Sequence, residues 1–288
     1  MSRLVFVLLF IFVIGLAVAA CGNTTAMTPR PTTFGGDRPV TLQVPSGFDE
    51  TKQYPLIIVL HGYSANGFVQ EAYFGVKAEQ TAGKAFVIAP DGLVDASGNE
   101  FWNADPACCD FGNLHPDDSG YIGKLIDDVS AAWPIGPVFL VGHSNGGYMS
   151  YRMACDRADV ISAIVVLAGI ATTTPCNPTR AVNVLHIHGT ADAAVPYAGG
   201  GIGGAGAVGT VMQWDGHNGC GTTRTAGGTF DYDATVPGAE THAETSDGCP
   251  VNGAVDLWTL QGSSHIPSLT AAFEPAIWDW MSAHARVP

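Results

Sequence analysis

The stretch VFLVGHSNGGYMS, Val138 to Ser150, runs an apolar segment straight into Gly142-His143-Ser144-Asn145-Gly146 and then into a segment of helical character. A G-x-S-x-G pentapeptide between a strand and a helix has a mechanical reason. The chain must reverse within a few residues, the serine is held in a strained turn with its hydroxyl exposed, and the flanking glycines leave room where strand and helix backbones converge. With 36 glycines in the chain the pattern alone carries little weight; its place after an apolar strand and before a helix carries more. A helix starting at Asn145 also points its first amides at the serine, which favours negative charge there.

Outward from this turn, short β-branched runs alternate with longer amphipathic ones. Residues 54–60, 85–89, 138–142, 163–169, 182–189 and 255–260 read as strands, several of them apolar throughout, as strands buried on both faces of a parallel sheet are. Helices are expected over 71–82, 118–133, 145–155, 208–217 and 269–285. The alternation predicts an α/β fold, a mostly parallel, doubly wound sheet flanked by helices in one domain. Two stretches break the rhythm: 91–116, with few periodic apolar positions, and the glycine-dense 198–209, expected to be a mobile loop.

In such a sheet functional loops gather at the carboxyl ends of the strands. Three residues after the strand ending at Gly189 comes Asp192, and directly after the strand 255–260 comes His265. Of the histidines that follow Asp192, His217 and His284 fall in helices and His242 has no apolar strand before it, so His265 alone has a strand-end position. Ser144, Asp192 and His265 therefore form a candidate nucleophile, acid and base in that chain order. Two amides are the candidate oxyanion donors: the N–H of Asn145, and that of Tyr63 in LHGYSANG, Leu60 to Gly67. His61 in the same loop reads as a structural residue. Asp117 and Asp118 read as a pair at a helix N-terminus.

The composition limits the partners. At 288 residues and 47% hydrophobic, the chain can bury a full core. A formal net charge of −14 argues against nucleic acid and anionic lipid headgroups, whose phosphates it would repel. At the N-terminus, Ser2-Arg3 precedes an apolar run, Leu4 to Ala20, that ends in Val18-Ala19-Ala20-Cys21. Residues 1–20 read as a signal peptide of lipoprotein type, its end resembling a bacterial lipobox with Cys21 lipidated and a plain secretory signal or a short membrane anchor as the alternatives; 22–38 reads as a flexible tether and 39–288 as the catalytic domain. The protein is thus expected outside the cell or in its envelope, in the outer membrane if the cell is Gram-negative, with the lipid at Cys21 as its sole membrane attachment. Six cysteines remain, and in an exported chain an even count suggests disulfides: Cys155 with Cys176 and Cys220 with Cys249, leaving Cys108 and Cys109 adjacent, bridged or free.

The blocks LIIVLHGYSANG, FWNADPACCD, DDSGYIGKLIDDV, VFLVGHSNGGYMSYRMACD, LHIHGTADAAVPYAGG, MQWDGHNGC and QGSSHIP together resemble the extracellular poly(3-hydroxybutyrate) depolymerase and feruloyl or acetylxylan esterase group of the α/β-hydrolases. The resemblance covers the chain from about Pro39 onward; around the histidine it departs from the group's glycine-rich, tryptophan-containing pattern. It implies an α/β-hydrolase fold and a serine carboxylic-ester hydrolase, with Ser144, Asp192 and His265 in the roles already given. It implies hydroxyalkanoate oligomers or feruloyl- and acetyl-type esters as substrates. Because the sequence ends just after its last helix, soluble esters and oligomers suit it better than crystalline polyester. Trp102 and His143 are the substrate-binding candidates, Trp102 having a packed loop anchor as its alternative. No cofactor or metal is expected, and the chain is expected to be a monomer. Acyl transfer on the same residues and a noncatalytic, polymer-binding surface lipoprotein are the competing functions.

Overall fold

The computed structural model describes residues 29–171 and 173–286. The chain divides into two compact units, Met1–Arg30 and Pro31–Pro288. The signal peptide and Cys21 lie outside the described residues. Among those described, no helix is long and apolar enough to cross a membrane.

The second unit opens with a two-stranded ribbon, β1 (Thr33–Phe34) and β2 (Val40–Thr41), and continues through β3 (Tyr54–Leu60), α1 (Gly67–Phe74), α2 (Lys77–Thr81), β4 (Phe86–Ile88) and a second ribbon, β5 (Leu93–Val94) with β6 (Glu100–Phe101). Then come α3 (Asp118–Ala132), β7 (Ile135–His143), α4 (Asn145–Asp156), β8 (Ile161–Leu167), β9 (Asn183–Gly189) and α5 (Gly206–Asn218). The chain closes with β10 (Arg224–Phe230), β11 (Thr241–Ser246), β12 (Val255–Leu260) and α6 (Phe273–Ala283).

Eight strands form one sheet in the order β10-β11-β12-β9-β8-β7-β3-β4, parallel from β12 to β4 and antiparallel at β10 and β11. The apolar run YPLIIVL shows why: Leu56, Ile58 and Leu60 enter the core on one face of the sheet, and Ile57 and Val59 the core on the other. Helix α3 buries Ile122, Leu125, Ile126 and Val129, an i, i+3, i+4, i+7 spacing that puts one stripe of the helix in the core. Helix α6 does the same on the opposite face with Phe273, Ile277 and Met281. The strand order reverses between β3 and β7, the switch point where α/β sheets open a crevice at the strands' carboxyl ends. The loops carrying Tyr63 and Ser144 leave β3 and β7 at that point.

Four expectations are corrected. The compact unit begins at Pro31, not at residue 39: Phe34 is buried in the β1–β2 ribbon and Trp133 Nε1 donates to the Pro31 carbonyl at 2.8 Å. The helix expected over 71–82 is two, because Gly75 takes a left-handed φ of 76° and ends α1. Strands β10 and β11 were not foreseen; they are rich in Thr, Gly and Ala and mostly solvent-facing, so apolar alternation does not mark them, and His242 lies on β11. The glycine-dense 198–209 is a turn that leads into α5, tied down where the Tyr148 hydroxyl donates to the Ile202 carbonyl. The cysteines pair as Cys155–Cys176, Cys220–Cys249 and Cys108–Cys109.

Candidate active site

Ser144 sits between β7 and α4 with φ 51° and ψ −119°, a conformation that non-glycine residues avoid. Two glycines make that turn possible. A Cβ on Gly142 would stand 2.2 Å from the Gly146 carbonyl oxygen, and one on Gly146 would stand 2.0 Å from that of Leu60. Serine at a helix N-cap usually accepts a hydrogen bond from the first turn, yet Ser144 makes none. Its hydroxyl is turned to His265 instead: Oγ lies 2.9 Å from His265 Nε2.

On the far side of that ring, Nδ1 lies 2.7 Å from Asp192 Oδ2. Asp192 is held by its own loop, its Oδ1 accepting from the N–H groups of Ala194 and Val195, both at 2.8 Å. Burial raises the carboxyl's pKa, but hydrogen bonds from His188, His265 and the Val195 amide outweigh it and hold the group well below the usual carboxylate range. The acid is therefore an anion against a neutral or protonated imidazole, the arrangement that fixes a tautomer with its proton on Nδ1 and leaves Nε2 facing the hydroxyl. The structure brings all three strand-end candidates together.

The second oxyanion candidate is on the loop after β3. The neighbouring Gly62 N–H donates to Gln70 Oε1 at 3.2 Å and the Ser64 N–H to the Glu100 carbonyl at 2.9 Å, which brackets Tyr63 between two fixed residues. Among the described residues no acceptor is recorded for the N–H of Tyr63 or of Asn145. Asn145 also bridges to the neighbouring loop, its Oδ1 accepting from the Trp102 N–H at 2.7 Å and its Nδ2 donating to the Trp102 carbonyl at 2.9 Å.

The family is decided by sequence. The model of the "Esterase" family matches residues 32–197, more than half of the chain. The chain belongs to this family of carboxylic ester hydrolases. Among curated relatives, a "Probable feruloyl esterase C" of Aspergillus terreus is 32% identical over 63% of this chain and 64% of its own length. One of the same description from Aspergillus niger is 27% identical over 76% of this chain and 78% of its own. The chain thus spans a little under two thirds of the A. terreus protein. Among solved structures, an acetyl xylan esterase from Aspergillus awamori superposes with a TM-score of 0.56 at 14% identity, covering 83% of this chain and 93% of that one, a likeness of fold. The fold is that of the α/β-hydrolases.

Beside Ser144 the chain has a cavity of about 190 Å³, walled by Tyr63, Val69, Tyr73, His143 and Ile266. A larger one, about 680 Å³, lies between the β1–β2 ribbon and α3 and shares no residue with it. His143 is buried in the wall, and its Nε2 donates to the His265 carbonyl at 2.9 Å, so it offers ring surface to a ligand and anchors the histidine loop. Burial pulls its pKa down to about 4, which keeps it neutral at ordinary pH. Trp102 is corrected as a substrate contact. Its ring has no exposed surface, and its Nε1 donates to the His61 carbonyl at 3.1 Å, so it is the loop anchor.

One group of described residues has metal-ligand spacing: His61, Asp91 and Glu100 place ligand atoms within 4.8 Å of one another. Both nitrogens of His61 are already used, Nδ1 on the Gly62 carbonyl and Nε2 on the Gly92 N–H, each at 2.9 Å. The ring is a strut for the Tyr63 loop. Asp117 caps α3 by accepting from the Gly120 N–H, and Asp118 joins Arg38 to the Asn103 N–H at 2.6 and 2.7 Å. Sequence reasoning missed Gln70 and Tyr73, which stand on α1 with no motif to mark them. Only the fold brings α1 over Ser144.

Proposed function

We propose that the protein hydrolyses carboxylic esters through Ser144, His265 and Asp192. The observation that carries this reading is the pair of hydrogen bonds from Asp192 Oδ2 through His265 to Ser144 Oγ, at 2.7 and 2.9 Å. Ser144 Oγ attacks the ester carbonyl as His265 Nε2 takes its proton, and Asp192 stabilises the imidazolium. The N–H groups of Tyr63 and Asn145 receive the developing oxyanion. His265 then protonates the departing alcohol, leaving an acyl group on Ser144 that a water activated by the same histidine removes.

For substrate we propose feruloyl- or acetyl-type esters. The names of the curated relatives support this, and so does the small cavity, whose wall of Tyr73, Val69 and Ile266 suits an aryl or short acyl group. Val69 and Ile266 at its wall, and Phe111 against the Tyr63 ring, are exposed apolar side chains that fit a neutral ester. Export is the third part of the proposal, supported by three disulfides.

The test is hydrolysis of a short-chain nitrophenyl ester, methyl ferulate and a 3-hydroxybutyrate oligomer by the full chain, with Ser144→Ala alongside. Methyl ferulate or the short-chain ester should turn over fastest and the variant should be inert. Preference for the hydroxybutyrate oligomer would overturn the substrate class, and turnover by the variant would overturn the mechanism.

A further inference from the structure

Behind Asp192 the interior holds two histidines and a tyrosine that the mechanism above does not use. His186 and His188, on one face of β9, and Tyr151, on α4, are each fully buried. They form a chain of hydrogen bonds: Tyr151 Oη to His186 Nδ1 at 2.8 Å, His186 Nε2 to His188 Nδ1 at 3.2 Å, and His188 Nε2 to the Val195 carbonyl at 2.8 Å. The same His188 Nε2 stands 3.3 Å from Asp192 Oδ2, the oxygen that His265 also contacts.

The direction of the chain follows from its end. A carbonyl and a carboxylate can only accept, so His188 Nε2 carries a hydrogen. Burial pushes the pKa of His186 well below its usual value, so that ring is neutral. With His188 accepting at Nδ1, His186 must donate from Nε2, and its own Nδ1 is left to accept from the Tyr151 hydroxyl. Among neutral rings this arrangement alone satisfies every member, and burying three polar rings in an apolar core demands such satisfaction. Its output is an N–H that donates to the Val195 carbonyl and stands 3.3 Å from the Asp192 oxygen that faces His265. The other groups packed against His188 are the Tyr197 ring, 5.7 Å away, whose hydroxyl shares a bond with Thr259 Oγ1 at 3.0 Å.

We propose that His188 is a positioning residue for Asp192, with Tyr151 and His186 fixing its tautomer. The Ala194 and Val195 amides secure Oδ1; His188 secures Oδ2 and so sets where the carboxylate meets His265. This rests on the triad reading of the preceding subsection.

The experiment compares His188→Met, which fills the site without a donor, with His188→Gln, whose side-chain amide reaches about as far as the ring's Nε2. Active sites are counted by a fluorophosphonate so that kcat refers to folded enzyme. His188→Met should lower kcat by about ten- to a hundredfold, the effect of losing a hydrogen bond to a charged group, with KM little changed. His188→Gln should recover most of it. A merely structural role gives instead fewer active sites with full kcat each, or equal damage in both variants, and either result overturns the proposal. Nitrogen-15 NMR of the unmutated protein decides the same point if His188→Met does not fold: both rings should be neutral with hydrogen on Nε2, and a protonated or Nδ1–H ring contradicts the relay. Turnover that survives Ser144→Ala strikes at the serine mechanism itself, and is told apart from failure of the relay by that variant alone.

Discussion

His265 Nε2 stands 2.9 Å from Ser144 Oγ across 121 residues of sequence, and it does so because β7 and β12 both end at the same edge of one sheet. The proposed chemistry depends on that convergence, and the backbone of Ser144 shows what holding it there costs. At φ 51° and ψ −119° the residue is in a region suited to glycine.

Ser144→Gly should therefore stabilise the fold while abolishing turnover, by about 1 kcal/mol from relieved backbone strain. Ser144→Ala keeps the strain and should unfold close to the unmutated protein. Thermal unfolding of the two variants side by side checks this; a Gly variant less stable than the Ala variant would show that the turn is not strained.

Gly146→Ala should have the opposite effect. The added methyl would fall 2.0 Å from the Leu60 carbonyl oxygen, a backbone atom at the end of β3 where that strand pairs with β7. A loss of about 3 kcal/mol or more, or no soluble protein, is expected. Denaturant unfolding measures it, and near-normal stability would mean that α4 can slide away from β3.

Acid should weaken the fold through histidines buried in neutral form. Burial lowers the pKa of His143 to about 4 and that of His61 and His186 below the usual value. Between about pH 6.5 and pH 4 the unfolded chain takes up protons that the folded one refuses, so stability falls as pH falls through that window. His143 alone accounts for about 3 kcal/mol over the whole window. His143→Gln should flatten the stability curve between those limits; an unchanged slope would place the proton uptake elsewhere.

The Tyr63 loop should be sensitive to Gln70. Its Oε1 accepts from the buried Gly62 N–H at 3.2 Å, one residue before the proposed oxyanion donor. Gln70→Leu should lower kcat about tenfold with KM little changed, because the donor is misplaced chiefly where the transition state needs it. Tyr63→Phe, which leaves the backbone amide in place, should keep most of the activity. Steady-state kinetics of both variants separate the two contributions, and equal losses would assign the role to the tyrosine hydroxyl.

Much of this was legible in the sequence because it depends on strand ends. An apolar run buried on both faces announces a parallel strand, and a polar residue just past its end announces the functional edge; Ser144, Asp192 and His265 all follow that rule. What was hidden depends on distant partners. Trp102 sits in a polar loop, and nothing local says that Asn145 and His61 will enclose it. Strands β10 and β11 are solvent-facing and pair only because β12 offers them an edge. His186 looks like any polar residue in an apolar strand until Tyr151 arrives from another element. Only the glycine that breaks 71–82 was in plain view, and local periodicity overrode it.

The most direct measurement is the covalent labelling of Ser144. The full chain is treated with a fluorophosphonate during turnover of a nitrophenyl ester, and the modified peptide is located by mass spectrometry. The expected result is one label per chain, on Ser144, with loss of turnover in step with labelling, and neither label nor turnover in Ser144→Ala. Turnover that persists in a fully labelled protein, or a label on another residue that tracks the loss of activity, would contradict the serine mechanism.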